Sequence, residues 1–304
     1  MEFSHISVLF EETIESLNIK PDGLYVDCTC GGAGHSKEIL NHLNSGHLVA
    51  IDRDPDAIEV INERIGADER VEIVCNTFDN IKTILGERKA DGILADLGVS
   101  SFQLDNAERG FSFHNDAFLD MRMSKSGKSA YDVVNTYSEE ELSNILFKYG
   151  EEKFARNIAK NIVKERASSP IETTLGLAEI VKNSYPAKFK RDSHPARKTF
   201  QAIRIEVNDE LTMLSGAVQD MFDSLKIGGR LSVITFHSLE DRIVKEKFKE
   251  FTTGCTCPKE FPVCVCGKSP LGKIINRGLT ASEKELNDNN RSRSARLRTI
   301  EKIG

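Results

Sequence analysis

Two periodicities of apolar residues alternate along the first third of the chain. Four short runs that are apolar in their centre and typical of strands stand there, at 23–29, 47–54, 71–76 and 90–98. Segments with helical spacing follow the first two, and short strands that alternate with helices predict a parallel sheet covered on both faces. The pattern stops near Asp105 and resumes with one long amphipathic helix at 206–229 and a fifth strand at 230–237. We therefore predict an α/β fold with a doubly wound, mostly parallel sheet.

The residues between the fourth and fifth strands have the period of helices. A helix is predicted at 138–150, where Ser138 is the N-cap and Glu141 completes a capping box. Further helical segments follow at 151–167 and 173–185. An all-helical insertion in the sheet domain is the simplest interpretation. The predicted domains are a first sheet part, an inserted substrate-recognition domain and a second sheet part, at 1–106, 107–205 and 206–304.

A glycine-rich loop, GGAG, joins the first strand to the helix that follows it. Ligands bind at the carboxyl ends of the strands in open parallel sheets, so this loop is a candidate binding element. The nicotinamide fingerprint G-x-G-x-x-G fails, because Lys37 stands where its third glycine is required. A P-loop is absent as well, since no Gly-Lys-Ser/Thr follows. The loop favours a nucleoside ligand that has no pyrophosphate.

Ligand-type side chains also end the second, third and fourth strands. Asp52 follows the glycines at the distance typical of an acid that binds two ribose hydroxyls. Phe78 either flanks an adenine or packs in the core, and Asp96 ends the fourth strand. S-adenosylmethionine (AdoMet) is the ligand that fits this set best.

Composition and charge narrow the class of protein. No run approaches the roughly 18 apolar residues of a membrane span, and residues 1–20 lack a signal-peptide pattern. We expect a cytoplasmic protein without a membrane partner. The net charge is −6, yet the segment 182–204 carries a net charge of +6, and RSRSARLR at 291–298 is also basic. Two basic segments in an acidic chain favour a polyanion partner over two solvated faces.

Four of the seven cysteines lie close together in the sequence CTCPKEFPVCVCG. They are Cys255, Cys257, Cys264 and Cys266. Four thiolates could close a tetrahedral zinc site, although the spacing is not the commoner C-x₂-C, and reduced thiols in a surface loop are the alternative. The remaining cysteines, Cys28, Cys30 and Cys75, are interpreted as fillers of the core.

The motifs of this chain, in order, resemble those of the RsmH (MraW) family from His5 to about Arg298. The motifs are HISVLFEE, YVDCTCGGAGHS, AIDRDPDAI, DGILADLGVSSFQLDNAERGFSF, LDMRMS, HPARKTFQAIRIEVNDEL, TFHSLEDRIVK and RSRSARLR. Members of this family are AdoMet-dependent methyltransferases acting on the cytosine N4 amine in small-subunit (16S) ribosomal RNA, near the decoding site. The resemblance implies a class I AdoMet-methyltransferase fold, with S-adenosyl-L-methionine as cofactor and the ribosomal RNA or small subunit as partner. A homodimer is left open.

The resemblance also assigns residues to the cofactor. The implied AdoMet contacts are Ala33, Gly34, His35, Asp52, Phe78, Asp96 and Gln103. The family usually has a glycine where Ala33 stands, a small-residue exchange that keeps a tight turn.

Methyl transfer to an exocyclic amine requires acceptors that hold its N–H groups, because the lone pair is conjugated into the ring. DNA amino-methyltransferases carry a Pro-Pro-aromatic turn after the fourth strand, and DLGVSS stands there instead. Asp96 and the backbone of 99–101 are therefore the first candidate acceptors. Asp120 and His237 are the second candidates, and a structural role is the alternative for each of them.

Arg197 and Lys198 are expected to bind RNA phosphates, with Arg291 and Arg293 of the second basic segment as further candidates. The rival interpretation is a non-catalytic RNA-binding or ribosome-assembly protein on a methyltransferase fold, which a loss of the glycines or of Asp52 would have favoured. A nicotinamide oxidoreductase is disfavoured by the missing third glycine.

Overall fold

The chain forms two compact units in a computed structural model. The residues that the structure describes are 7–186, 194–255, 257 and 266–304. The first unit, called here the sheet unit, comprises Met1–Gly98 and Leu211–Gly304, and the helical unit comprises Val99–Glu210. The predicted insertion, 107–205, begins eight residues later and ends five residues earlier than the helical unit. The domain division and the recognition role of the insertion stay predictions.

A single sheet organises the sheet unit. Its strands in the described residues are β1 (Leu24–Asp27), β2 (His47–Asp52), β3 (Val71–Cys75), β4 (Ala90–Asp96), β5 (Leu225–Thr235), β6 (Gly272–Leu279) and β7 (Arg296–Lys302). Their order is β3-β2-β1-β4-β5-β7-β6. The strands from β3 to β5 in this order are parallel, whereas β7 is antiparallel to both β5 and β6. The predicted α/β, class I AdoMet-methyltransferase fold is therefore confirmed.

Helices connect the strands and form the insertion. In the described residues they are α1 (Phe10–Leu17), α2 (Gly34–His42), α3 (Pro55–Ile65), α4 (Ile81–Leu85), α5 (Ser101–Asp105), α6 (Ala130–Thr136), α7 (Glu139–Gly150), α8 (Ala155–Arg166), α9 (Thr174–Ser184), α10 (Ala196–Asn208), α11 (Glu210–Asp223), α12 (Ser238–Thr252) and α13 (Glu283–Asp288). No helix in this part of the chain has the length and apolar character needed to cross a bilayer.

Strand β4 shows why the central strands are apolar throughout. Consecutive strand residues face opposite sides of a sheet, and Ile93 packs in one buried cluster while Leu94 packs in another. The first cluster includes Phe222 and Phe251, whose rings stack with centroids 4.0 Å apart. Each such buried side chain stabilises the fold by about 1.5–3 kcal/mol. Both faces are covered by apolar clusters, which confirms the doubly wound prediction.

The predicted single helix at 206–229 is wrong. Helix α10 ends at Asn208, Asp209 adopts a left-handed conformation with φ of 52°, and α11 begins at Glu210. Aspartate tolerates this conformation better than most residues, so it can interrupt a helical pattern. Gly228 and Gly229 do not follow the helix directly but lie within β5, which pairs with β4 from Leu225 onward.

The antiparallel pair β6 and β7 was not predicted. The basic segment RSRSARLR crosses into β7, and Arg298 there is buried and donates two hydrogen bonds to Asp241, at 2.7 and 3.0 Å. The guanidinium group also donates to the Arg277 carbonyl, so this arginine is engaged inside the sheet unit and is a poor candidate for binding a polyanion.

The helical unit has its own apolar core. Buried residues of α6 to α10, among them Val134, Leu146, Ile158 and Ile203, form one cluster. The capping box predicted at Ser138 and Glu141 is confirmed, with the Glu141 N–H donating to Ser138 Oγ at 3.2 Å and the Ser138 N–H donating to Glu141 Oε2 at 2.7 Å. The helices of this unit are capped by nearby residues and pack on one another, so the helical period of the sequence was enough to predict them.

Candidate active site

The loop between β1 and α2 is held by the buried carboxylate of Asp27. Its Oδ2 accepts a hydrogen bond from Ser36 Oγ at 2.7 Å, and its Oδ1 accepts one from the Thr29 N–H at 3.2 Å. The Ser36 hydroxyl also contacts Cys30 Sγ at 3.1 Å. The loop is thus fixed at its start and at the first turn of α2. Sequence analysis assigned no role to Asp27, although its position at a strand end was the available signal.

The backbone of this loop explains its small residues. Gly31 and Ala33 have φ angles of 52° and 59°, in the left-handed region. An alanine there costs roughly 1–2 kcal/mol, which accounts for the glycine that the family prefers at this position. A Cβ on Gly34 would meet Ser7 Oγ, so a larger residue there would require the serine side chain to turn away.

Asp52 ties the loop to the end of β2. Its Oδ2 accepts a hydrogen bond from the Gly31 N–H at 2.8 Å, and its Oδ1 accepts one from the Asp54 N–H at 2.9 Å. Burial raises the pKa of Asp52 to about 6, against the effect of these two hydrogen bonds. A backbone hydrogen bond from Arg53 acts on the same carboxylate, which is consequently positioned by the backbone on both sides.

Asp96 ends β4 beside the same loop. Its N–H donates to Thr29 Oγ1 at 2.6 Å, and its Oδ2 lies 4.0 Å from His35 Nδ1. Burial, followed by the negative charges of Asp27 and Glu240, raises the pKa of Asp96 well above its usual range. Its Oδ1 is buried and has no hydrogen-bond partner in the described part of the chain. Buried hydrogen-bond acceptors are rarely left without a partner, so we expect this oxygen to accept a hydrogen bond from a ligand.

The end of β3 adds one predicted residue and one that sequence analysis missed. Phe78 begins a 3₁₀ turn and packs, half-buried, against the core. Asp79 follows it, and its buried Oδ1 likewise has no partner among the residues described. Only its place directly after Phe78 could have pointed to it.

His35 and His237 occupy helix starts. The His35 ring stacks on Phe10, with centroids 5.8 Å apart, and is buried. His237 is the N-cap of α12: its Nδ1 accepts the Glu240 N–H at 3.4 Å, and its Nε2 lies 3.1 Å from Glu240 Oε1. This capping box gives His237 a structural role, and its catalytic role stays a prediction.

Gln103 and Asp120 belong to the helical unit. Gln103 is buried and completes a capping box with Ser100 at the start of α5. Asp120 accepts hydrogen bonds from Arg122 Nε at 2.7 Å and from a terminal guanidinium nitrogen at 3.0 Å. Burial acts to raise the pKa of Asp120, but the hydrogen bonds from Arg122 outweigh it and leave that pKa below its usual value. Asp120 is therefore a weak proton acceptor.

The basic candidates in the helical unit stand near an aromatic cluster. Arg197 and Lys198 are exposed at the start of α10, and Lys198 Nζ donates to the Glu151 carbonyl at 2.8 Å. His194, just before this helix, stacks on Phe113 with centroids 4.5 Å apart. In the sheet unit, Arg291 and Arg293 lie in a 3₁₀ turn, and Arg293 is exposed.

The cysteine predictions have mixed outcomes. Cys28 and Cys30 are buried in the core, as predicted. Cys75 is exposed, so its interpretation as a core filler is wrong, because it stands at the end of the edge strand β3. Cys264 lies outside the described residues.

The strand ends of the sheet unit have the chemistry of an AdoMet site. Carboxylates at the ends of β1, β2 and β4 suit a cationic ligand, and the two buried oxygens without described partners can accept its N–H or O–H groups. No side chain caps the start of α2 among the residues described, which leaves backbone N–H groups for a carboxylate. These residues fit the cofactor that the motifs implied.

The chain matches the family model described as the MraW methylase family over residues 2–303. It is similar to curated proteins called ribosomal RNA small subunit methyltransferase H. Those of Clostridium botulinum strains Kyoto / Type A2 and Loch Maree / Type A3 are each 59% identical over 309 residues, covering 100% of both chains.

Solved structures with a similar fold include an rRNA methylase from Streptococcus thermophilus, with a TM-score of 0.45, 10% identity and 98% of each chain covered. A putative methyltransferase from Streptococcus mutans in complex with SAH has a TM-score of 0.43 and 13% identity, covering 98% of this chain and 100% of that one. No functional conclusion follows at such identities.

The buried carboxylates predict a pH dependence of stability. Burial raises the pKa of Asp27 to about 6, whereas an unfolded aspartate titrates near 4. The folded chain therefore binds more protons between these values, and the stability that Asp27 contributes is present below about pH 4 and lost as the pH rises through about 6. In urea unfolding of ligand-free protein, the free energy of unfolding of Asp27→Asn should rise relative to that of the wild type between about pH 4.5 and 7, by up to about 3 kcal/mol.

Asp22→Asn is the matched control, because Asp22 also accepts a serine hydroxyl but is exposed. Parallel stability curves for the wild type and Asp27→Asn would contradict the assignment.

Proposed function

This chain belongs to the MraW methylase family, and we propose that it methylates the N4 amine of a cytidine in small-subunit (16S) ribosomal RNA, near the decoding site, with AdoMet as methyl donor. The name of its 59% identical relatives, ribosomal RNA small subunit methyltransferase H, supports the RNA substrate. One observation supports an amine as the methyl acceptor: Asp96 Oδ1 is buried and has no hydrogen-bond partner among the described residues. The proposed place of action is the cytoplasm.

The proposed cofactor residues divide by the part of AdoMet that they bind. Ala33, Gly34 and His35 present the start of α2 to the methionine carboxylate. Asp52, whose carboxylate the backbone positions at the end of β2, accepts hydrogen bonds from the ribose hydroxyls. Phe78 and Asp79 serve the adenine, as apolar surface and as acceptor for its amino group. Gln103 is retained as a proposed contact from the family motif.

When bound, AdoMet supplies a methyl group on a positively charged sulfur. Asp96 does the rest of the chemistry in this proposal: its Oδ1 accepts an N–H of the cytosine amine and so orients the nitrogen lone pair. A carboxylate whose pKa is raised takes a proton near neutral pH more readily than an ordinary one. Asp120, whose pKa is lowered, and His237, which caps α12, lack this property.

The helical unit carries the proposed RNA contacts. Arg197 and Lys198 bind phosphates, and the His194 and Phe113 rings beside them offer a face on which an unpaired base can stack. Burial, aided by His114 and Lys182, lowers the pKa of His194, so its ring is neutral at pH 7. A cytidine in a helix is inaccessible, hence the target must be unpaired or flipped out.

The direct test is the product. Purified protein, AdoMet with a labelled methyl group and small subunits from cells that lack the enzyme are combined, and the RNA is digested to nucleosides for chromatography and mass spectrometry. We expect label in N4-methylcytidine, and none when large subunits replace small ones. Label in another nucleoside would contradict the N4 assignment, and AdoMet binding without any transfer would favour the non-catalytic rival.

A second prediction concerns the basic start of α10. Replacing Arg197 and Lys198 with alanine should weaken RNA binding and flatten its salt dependence by about one to two units in the log–log slope, because fewer counterions are released. AdoMet affinity, measured by calorimetry, should stay within about twofold because the proposed phosphate contacts are not cofactor contacts.

The matched control replaces Arg156 and Lys160, two exposed basic residues on α8, with alanine. Because Lys198 also donates to the Glu151 carbonyl, thermal unfolding of each variant is recorded alongside. An unchanged salt slope in a folded double variant would show that this segment is only a solvated face.

A further inference from the structure

Three cysteine thiols converge between α12 and β6. The Sγ atoms of Cys255, Cys257 and Cys266 all lie within 4.8 Å of one another. Cys266 comes from the far side of the loop, so its approach is not a consequence of sequence proximity. The segment is a candidate metal site that the methyl transfer does not use.

The base of this loop is fixed. The Leu271 N–H donates to the Phe251 carbonyl at 2.8 Å, and Gly254 packs against the Pro270 ring. Phe251 is itself buried and stacked on Phe222. The two ends of the loop are therefore held together by the core, and the cysteines stand just inside them.

The distances match a tetrahedral thiolate site. Zinc–sulfur bonds of about 2.3 Å at the tetrahedral angle place neighbouring sulfurs about 3.8 Å apart. Cys266 Sγ and Cys255 Sγ are separated by 3.7 Å, well beyond the roughly 2.05 Å of a disulfide. The Cys257 N–H points to Cys255 Sγ at 3.4 Å, a donor that stabilises thiolate charge.

We propose that Cys255, Cys257 and Cys266 bind one Zn²⁺ ion. Cys264, the fourth cysteine of the CTC–CVC pattern, lies outside the described residues. Thiolates select zinc over the oxygen-preferring cations, and sulfur ligands are typical of structural zinc sites.

The role of this ion is structural because of its position on α12. His237 caps the start of this helix, where the charge of Glu240 acts on Asp96, while the cysteines follow its other end. The helix has 15 residues and is therefore about 22 Å long. Zinc would close the loop before β6 and hold the edge of the sheet, leaving the strand-end chemistry untouched.

The experiment measures metal in the full chain purified without chelators. Elemental analysis should find about one zinc per wild-type chain and less than about a fifth of that in the variant with serine at Cys255, Cys257 and Cys266. Cys75→Ser is the matched control and should keep the metal, since Cys75 is an exposed cysteine outside the loop. Cobalt in place of zinc should give the charge-transfer bands of thiolate ligands and the visible bands of tetrahedral Co²⁺.

A second measurement needs no variant. Titration of the wild-type thiols with a mercurial reagent should release zinc in proportion, detected with a chromogenic chelator, while AdoMet binding persists. Less than about half an equivalent of zinc in the wild type, equal zinc in the triple-serine variant, or iron with inorganic sulfide would each overturn the proposal.

Discussion

The hydrogen bond from the Gly31 N–H to the Asp52 carboxylate is the contact on which the site depends, because it joins the glycine loop of β1 to the end of β2. On the other side of the loop, the Ser36 hydroxyl contacts both the Asp27 carboxylate and Cys30 Sγ. Thr29 connects the loop to Asp96 at the end of β4. Three strand ends are thereby fixed relative to one another. A site assembled this way needs little rearrangement to bind a ligand.

This arrangement has a cost in stability. Burial raises the pKa of both Asp27 and Asp52 to about 6 and raises that of Asp96 well above its usual range, so the fold disfavours the ionised form of all three carboxylates. Strain of this kind persists where the surroundings fix it, and it is typical of functional sites. In the proposed function, a cationic cofactor offsets this unfavourable charge, and the Asp96 carboxylate accepts a hydrogen bond from the amine.

Sequence period and strand-end logic were enough to predict the parallel strands, the helical insertion, the Ser138 capping box and the positions of Asp52 and Asp96. They failed where tertiary contacts decide the outcome. The left-handed Asp209 divides a continuous helical pattern, and β6 and β7 form through antiparallel pairing at a sheet edge that no local period reveals. Asp79 was missed because its lack of a described partner is a property of the fold.

The central claim is that Asp52 serves the cofactor while Asp96 serves the amine. Its most direct test is a pair of isosteric variants, Asp52→Asn and Asp96→Asn, each measured for AdoMet affinity by calorimetry and for single-turnover methyl transfer to small subunits. Asp52→Asn should weaken AdoMet binding by roughly tenfold or more, as expected for hydrogen bonds to a charged group. Asp96→Asn should lower the transfer rate by about 10²-fold or more with a far smaller change in affinity. Equal loss of affinity and rate in both variants, or normal transfer by Asp96→Asn, would contradict the account.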